Sequence, residues 1–306
     1  HYNINKYITG NLLDIGAGNS TYKYLKRYFD KKSVNKCYST DNDIIIVLNN
    51  FMKYDNFKEN HQNKNVVKYR YFDFNNKINN KVESRLMKSN SEQQLNTFYE
   101  FNNVEDNPLN NILSLSNDNV LFDTIFAYNC INFAFKNNLT KDNFRHNIDT
   151  LTNSKCKIII RFMDYDLFNT YLKNNNEYIE QLNKITDERI HNYSETHKTP
   201  QKHENPIILK SYEDSSYISI DTKLYTNKIY FSWVHSKPIN EHLLSKSNLV
   251  NYFSEEKKYI INDLSINTKW REIDYIENEK INYISNDTSL WDLYFKCFSV
   301  IVFEKN

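Results

Sequence analysis

Residues 11–19 read NLLDIGAGN, and STYKYLKRYF follows at 20–29. Leu12, Leu13 and Ile15 form a short apolar run that Asp14 interrupts, and GAG closes it. Tyr22, Leu25 and Phe29 then recur at helical spacing. The stretch therefore predicts a strand, a glycine turn and a helix. The chain has only three glycines, Gly10, Gly16 and Gly18, and two of them lie in this turn. A chain so poor in glycine is expected to keep it where the backbone needs a left-handed angle or must pass close to a ligand. The free N–H groups of a following helix would face the same place.

Outward from this turn, strands alternate with helical patterns. A second strand is expected over Lys36–Thr40, ending in Asp41, with a helix in DNDIIIVLNNFMKY directly after it. VVKYRYFDF at 66–74 predicts a third strand ending in Asp73. Residues 75–118 are polar and read as a surface insertion with a helix near 83–101. NVLFDTIFAY at 119–128 predicts a buried strand, NCINFAFKN a loop, and Lys141–Leu151 a helix. KCKIIIRFM at 155–163 has an all-apolar centre, the mark of a parallel strand covered on both faces. The alternation over 1–163 argues a doubly wound α/β sheet. From 164 to 235 the pattern loosens; SYISI and KLYTNKIYFSWVH predict antiparallel strands over one end of the sheet. An amphipathic helix is expected to start at Pro238, KYIIND to form a strand, and FSVIVFEKN to close the sheet. No linker divides the sequence, so 1–306 is expected to be a single domain with insertions at 75–118 and 164–235.

Composition narrows the function classes. Lys plus Arg (39) nearly cancels Asp plus Glu (38), which excludes a strongly basic or acidic tail. Hydrophobic residues make up 40%, enough for a sizeable core. Asn is roughly one residue in six, with Lys, Ile, Tyr and Phe also abundant, the residue set of A/T-rich codons. The four cysteines are far apart and form no CxxC pair, so a zinc ribbon or a disulfide scaffold is not expected and a reducing compartment is. HNYSETHKTPQKHENP holds three of the eight histidines without ligand spacing and reads as a solvated loop, with no metal expected. No apolar run is long enough to span a bilayer, and HYNINKYITG does not read as a signal peptide. Beginning at His, the chain is expected to be part of a longer polypeptide.

Asp14 before the turn, Asp41 after the second strand and Asp73 after the third are spaced acidic groups along one sheet edge. Dinucleotide sites use GxGxxG around a pyrophosphate. Here the run is GAGNST, without the third glycine. S-adenosylmethionine carries no phosphate, and three carboxylates suit its amino group, its ribose hydroxyls and its adenine amine. That favours a methyltransferase over a dehydrogenase. Asp41 equally suits a helix N-cap, and both readings stand.

Several motifs in order resemble one family. LLDIGAGN, CYSTDND, VKYRYFDF, LFDTIFAYNCINFAFKN, KIIIRFMDYDLF, SKPINEHLLSKSNLVNYF and SLWDLYFKCFSVIVFEKN together resemble the guanine-N7 methyltransferase domain of mRNA capping enzymes. The likeness is nearest to the C-terminal domain of the large subunit found in poxviruses, other cytoplasmic DNA viruses and linear plasmids. It implies a Rossmann-like S-adenosylmethionine-dependent fold, a mostly parallel seven-stranded sheet with helices on both faces and a β-rich insertion over the site. By this resemblance Asp14, Gly16 and Gly18 hold the methionine end of the donor, Asp41 the ribose, and Asp73 the adenine, with Tyr128 beside the donor. Asn132 and Phe133 stand where many relatives carry His-Tyr against the cap guanine; Glu241 would accept from the guanine N1–H and amine, and Phe298 would line its pocket. The implied cofactor is S-adenosylmethionine, and the implied partners are capped RNA and a small stimulatory subunit. The implied location is the cytoplasm, at a viral replication site, in a virion or in a plasmid system. Relatives carry a donor-binding lysine upstream of the first strand, a place Lys6 fills poorly because it lies too near Asp14. Two other readings are a catalytically inactive scaffold of a capping complex and a methyltransferase for another substrate. Ribose methylation is disfavoured because no Lys-Asp-Lys-Glu series is in place.

Overall fold

A computed structural model describes residues 4–18, 34–58, 67–78, 113–128, 130–167, 170, 206–210, 217–221, 228–232, 239–261, 264–277 and 297–306. The helices expected over 20–29 and 83–101 and the histidine-rich stretch 191–205 lie outside them.

The main sheet follows the alternation read from the sequence. Its strands are β1 (Gly10–Ile15), β2 (Val34–Asp41), β3 (Val67–Tyr71), β4 (Leu113–Ser114), β5 (Phe122–Tyr128), β6 (Thr152–Met163), β13 (Trp270–Ile276) and β14 (Phe298–Lys305). They lie in the order β13-β14-β6-β5-β1-β2-β3-β4. β1 pairs in parallel with β2 and β5, β2 with β3, β3 with β4, and β5 with β6. The two-residue β4 is the one strand beyond the seven expected. Along β6 and β14, Lys157 meets Glu304 while the Asp164 N–H donates to the Cys297 carbonyl. The partners step in opposite senses, so β14 runs against the parallel set. Leu12 and Leu13 are consecutive, point to opposite faces, and are both fully buried, as are Ile158, Ile159 and Ile160. The sheet is therefore covered on both sides, which is why its central strands read as unbroken apolar runs.

The chain divides into two compact units. The first comprises His1–Arg161, Phe253–Asp274 and Ile301–Asn306. It holds α1 (Ile44–Lys58), α2 (Ile131–Ala134), α3 (Asn138–Leu151) and the hairpin β11 (Lys257–Ile261) with β12 (Leu264–Thr268). α3 begins three residues earlier than expected. Asn137 and Thr140 form a reciprocal capping box, the Asn137 side chain accepting from the Thr140 N–H at 2.9 Å. NCINFAFKN, expected as a loop, contains the short helix α2.

A buried ion pair fastens this unit. Arg145 and Asp149, both fully buried, bond at 2.8 Å one helical turn apart. The other Arg145 donors reach the Phe253 and Glu255 carbonyls. Asp149 also accepts from Thr268 Oγ1 at 2.7 Å and Trp270 Nε1 at 2.6 Å. Lys305 Nζ donates to the Asp149 carbonyl at 2.7 Å and to both oxygens of Thr152. Each buried charge thus meets hydrogen-bonding partners, the condition under which such charges are tolerated inside a protein.

The second unit comprises Phe162–Tyr252 and Tyr275–Val300. It contains the antiparallel sheet β10 (Ile239–His242), β9 (Lys228–Ser232), β8 (Tyr217–Asp221) and β7 (Pro206–Lys210), the β-rich insertion expected from the sequence. The helix expected from Pro238 is corrected. Ile239–His242 is strand β10, and helix α4 is Lys246–Ser254. The start is set by Ser245 and Asn248, each side chain bonding the other's N–H, at 3.1 and 3.2 Å. Asp164, fully buried at the end of β6, accepts from the Asp166 N–H at 2.9 Å and from the Tyr275 hydroxyl.

Candidate functional site

The glycine turn leaves the carboxyl end of β1 in a left-handed conformation, with φ of +64° at Gly16 and +55° at Gly18. The two glycines serve different needs. A Cβ on Gly16 would stand 2.7 Å from the Cβ of Cys130, so the loop after β5 packs directly on the turn. Among the described residues, a Cβ on Gly18 would meet nothing within 4 Å. Gly18 therefore presents bare backbone to open space, the approach a ligand needs.

Backbone and side chains of β2 and α1 fix this turn. The Ala17 N–H donates to the Thr40 carbonyl at 2.9 Å, and Thr40 Oγ1 donates to the Asp14 carbonyl at 2.8 Å. The Gly18 N–H donates to Asp41 Oδ2 at 3.0 Å, and the Gly18 carbonyl accepts from Asn50 Nδ2 at 2.7 Å. Asp41 Oδ1 takes the Asp43 N–H at 3.0 Å. The helix cap is Asp43, whose Oδ1 accepts from the Ile45 N–H at 2.9 Å. The sequence left Asp41 divided between capping α1 and holding a ribose. With Asp43 as the cap, Asp41 is turned to the glycine loop.

Asp14 and Asp41 are both buried, 7% exposed. Burial pushes the Asp41 carboxyl above its ordinary range, with the N–H groups of Asp43 and Gly18 opposing. Burial raises the Cys130 thiol well above the usual cysteine value, and the nearby charges of Asp14 and Asp41 raise it further. Cys37 is raised by burial and by Asp14. Both thiols are thus inert apolar filler around the carboxylates.

Asp73 stands two residues past β3, not at its end, and is half-buried. It organises its own turn, Oδ1 accepting from the Asn75 N–H and side chain at 3.0 and 3.1 Å and Oδ2 from Asn76 Nδ2 at 2.6 Å. Its neighbour Phe72 ties it to the site through an N–H bond to the Asp41 carbonyl at 3.0 Å. Tyr128 ends β5 opposite Arg161, its ring 5.2 Å from Phe126. On α2, Asn132 is buried and Phe133 is exposed, so the two side chains face different surroundings. Lys6 pairs with Asp274 at 3.3 Å.

The first unit thus brings together Asp14, Gly16, Gly18 and Asp41, and Asp73 follows Phe72, whose N–H bonds the Asp41 carbonyl. Glu241 and Phe298 belong to the second unit. Glu241 lies on β10 in register with Ile229, and Phe298 opens β14 fully buried. Residues that sequence reading passed over are Thr40, Asp43, Asn50 and Cys130. Asp43 follows Asp41 by two positions ahead of an apolar helix, a readable cap; Asn50 is one of many asparagines and carries no signal of its own.

Sequence comparison finds no family model and no curated protein that matches the chain. Solved structures of similar outline exist. The CcbJ methyltransferase from Streptomyces caelestis is 7% identical with a TM-score of 0.49, over 98% of this chain and 90% of that one. A SAM-dependent methyltransferase from Methanosarcina mazei is 8% identical with a TM-score of 0.46, over 100% and 98%. One from Clostridium acetobutylicum is 9% identical with a TM-score of 0.43, over 98% and 85%. The fold is defined by its own strand order, with the parallel set β3-β2-β1-β5-β6 flanked by β14 and β13. It is a Rossmann-like, doubly wound α/β architecture.

Proposed function

We propose that the chain binds S-adenosylmethionine at the glycine turn and directs its methyl group to N7 of a guanine cap on RNA. The observation that carries the donor half is the Asp41 carboxylate clamped to the Gly18 N–H beside open space. In doubly wound sheets ligands bind beyond the carboxyl ends of the strands, where the order turns from one side to the other. Here β1 lies between β2 and β5, with its turn at that point. Asp41 Oδ2 accepts the Gly18 N–H and Oδ1 the Asp43 N–H, and a carboxylate oxygen can accept more than one hydrogen bond, which leaves capacity for a ribose hydroxyl. Asp14 would face the donor's amino group and Asp73 its adenine amine. When bound, S-adenosylmethionine supplies an electrophilic methyl group on a sulfonium.

The acceptor half rests on the ordered motifs of the sequence. Guanine N7 carries an in-plane lone pair at neutral pH, so the chain need not remove a proton. Its task is alignment and charge complementarity. By the sequence resemblance, Glu241 would select guanine by accepting from its N1–H and amine, Asn132, Phe133 and Phe298 would meet the base, and Tyr128 would lie beside the donor. Capped RNA is the proposed partner, with a small stimulatory subunit and a cytoplasmic viral or plasmid setting. Among the described residues no helix is long and apolar enough to cross a membrane, and no group of side chains is arranged to hold a metal.

The test is incubation of the chain with GpppRNA and labelled S-adenosylmethionine, alone and with the cognate small subunit. Label at guanine N7 is expected, and Glu241→Ala is expected to abolish it while S-adenosylhomocysteine still binds. Donor binding without transfer under both conditions would favour a non-catalytic scaffold. Transfer to another acceptor, with guanine untouched, would refute the acceptor half alone.

A further inference from the structure

Gly18 is gripped on both of its backbone polar atoms, by Asp41 on the N–H and by Asn50 on the carbonyl. Asn50 sits on α1 and is 2% exposed. A carbonyl can only accept, so the atom facing Gly18 is the amide nitrogen and the atom left over is Oδ1. That oxygen is buried without a hydrogen-bond partner. The hydroxyl of Ser39 is in the same condition. Ser39 is in register with Asp14 on one side and Tyr69 on the other, so the three side chains share a sheet face, as does Asp41 two residues on. The Phe51 ring of α1 meets Tyr69 edge-on at 6.4 Å, which places α1 over that face.

Stability does not account for Asn50. Val47 and Leu48 of the same helix are fully or almost fully buried. A leucine at 50 would suit such a surface better than an amide with an acceptor left unmade. What the amide gains is the grip on Gly18. The geometry points to Asn50 as a positioning residue of the donor site, acting through Gly18 to hold the Asp41 carboxylate where it meets the vicinal hydroxyls of an adenosyl ligand. This rests on the donor reading given above and adds to it the residue that sets the recognition of the ribose.

Two proteins and two ligands test it: the chain and Asn50→Leu, each titrated calorimetrically with S-adenosylhomocysteine and with its 2′,3′-dideoxy counterpart. Loss of the hydroxyls is expected to weaken binding to the unaltered chain by about tenfold or more, as is Asn50→Leu with the intact ligand. The two losses are expected not to add, because both break the same contact. The melting temperature of Asn50→Leu is expected near that of the parent, the apolar packing gained offsetting the donor lost to the Gly18 carbonyl. Equal affinity of parent and Asn50→Leu for S-adenosylhomocysteine, or the same loss with both ligands, overturns the proposal while leaving the donor reading intact. Failure of the parent chain to bind S-adenosylhomocysteine overturns both. Should Asn50→Leu not fold, Asn50→Ser in the same four titrations decides.

Discussion

Alanine at Gly16 and alanine at Gly18 are expected to fail in different ways, although the two glycines share a backbone conformation. A left-handed φ costs an L-residue about 1–2 kcal/mol at either position. At Gly16 the new methyl would also lie 2.7 Å from the Cys130 Cβ. Relief requires a shift of backbone or of the loop after β5, an overpacking cost of about 1–3 kcal/mol. Gly16→Ala is therefore expected to lose about 2–5 kcal/mol, a large part of the stability of an ordinary domain. Gly18→Ala meets nothing within 4 Å among the described residues and is expected to lose only the conformational share. Its methyl instead enters the open space read as the donor's, so S-adenosylhomocysteine binding should fall steeply in a folded protein. Because the contact is with Cβ, Cys130→Ala should not relieve Gly16→Ala, whereas Cys130→Gly should return part of the loss. Urea unfolding midpoints at constant slope measure the stabilities, and titration calorimetry the affinities. Equal destabilisation by the two alanines, relief by Cys130→Ala, or wild-type affinity in Gly18→Ala would each refute the reasoning.

Asp41→Asn keeps the size of the side chain and removes its charge; it is expected to fold and to bind S-adenosylhomocysteine at least about tenfold more weakly, by calorimetry beside a melting curve. Asp149→Asn leaves Arg145 as a buried charge short of its partner and is expected to cost about 3–5 kcal/mol in urea unfolding; a loss under about 1 kcal/mol would show that the network does not fasten α3. Burial works to raise the Asp118 carboxyl, but the hydrogen bond and charge of Arg70, with Lys68 at 3.1 Å, lower it overall. Its stabilisation is thus present above the ordinary carboxylate value near pH ~4 and lost as pH falls through the depressed one. Asp118→Asn should accordingly flatten the acid limb of the stability curve, and an unchanged limb would count against the pairing.

The sheet was legible because its strands are buried on both faces. Leu12-Leu13, Ile125 and Ile158-Ile159-Ile160 read as apolar runs for the reason that makes them central strands. Helix starts were harder. α3 and α4 are both set by boxes that contain an Asn and no charged partner, Asn137 with Thr140 and Ser245 with Asn248. In a chain where Asn is everywhere, such a box has no contrast against its background. Pro238 and the amphipathic residues after it carried the stronger local signal and pointed to a helix where β10 lies. At the turn, Gly16 and Gly18 were legible because only glycine adopts these angles cheaply. Asn50 and Cys130 were not, since their roles arise from contacts across 32 positions to Gly18 in one case and from packing against Gly16 in the other.

Under the proposed donor reading, Asp41 combines a structural and a binding role in one carboxylate. A buried acid with no hydrogen bonds would resist ionisation, and a neutral acid is a poor acceptor for two hydroxyls. The Gly18 and Asp43 N–H groups oppose that resistance, and each occupies one lone pair on a different oxygen. The remaining lone pairs lie beside the one glycine whose Cβ direction is open. The cap of α1 falls to Asp43, whose Oδ1 takes the Ile45 N–H, so Asp41 does not have to serve the first turn of the helix. The acidic pair in CYSTDND thus divides its labour, Asp43 starting the helix and Asp41 holding the turn.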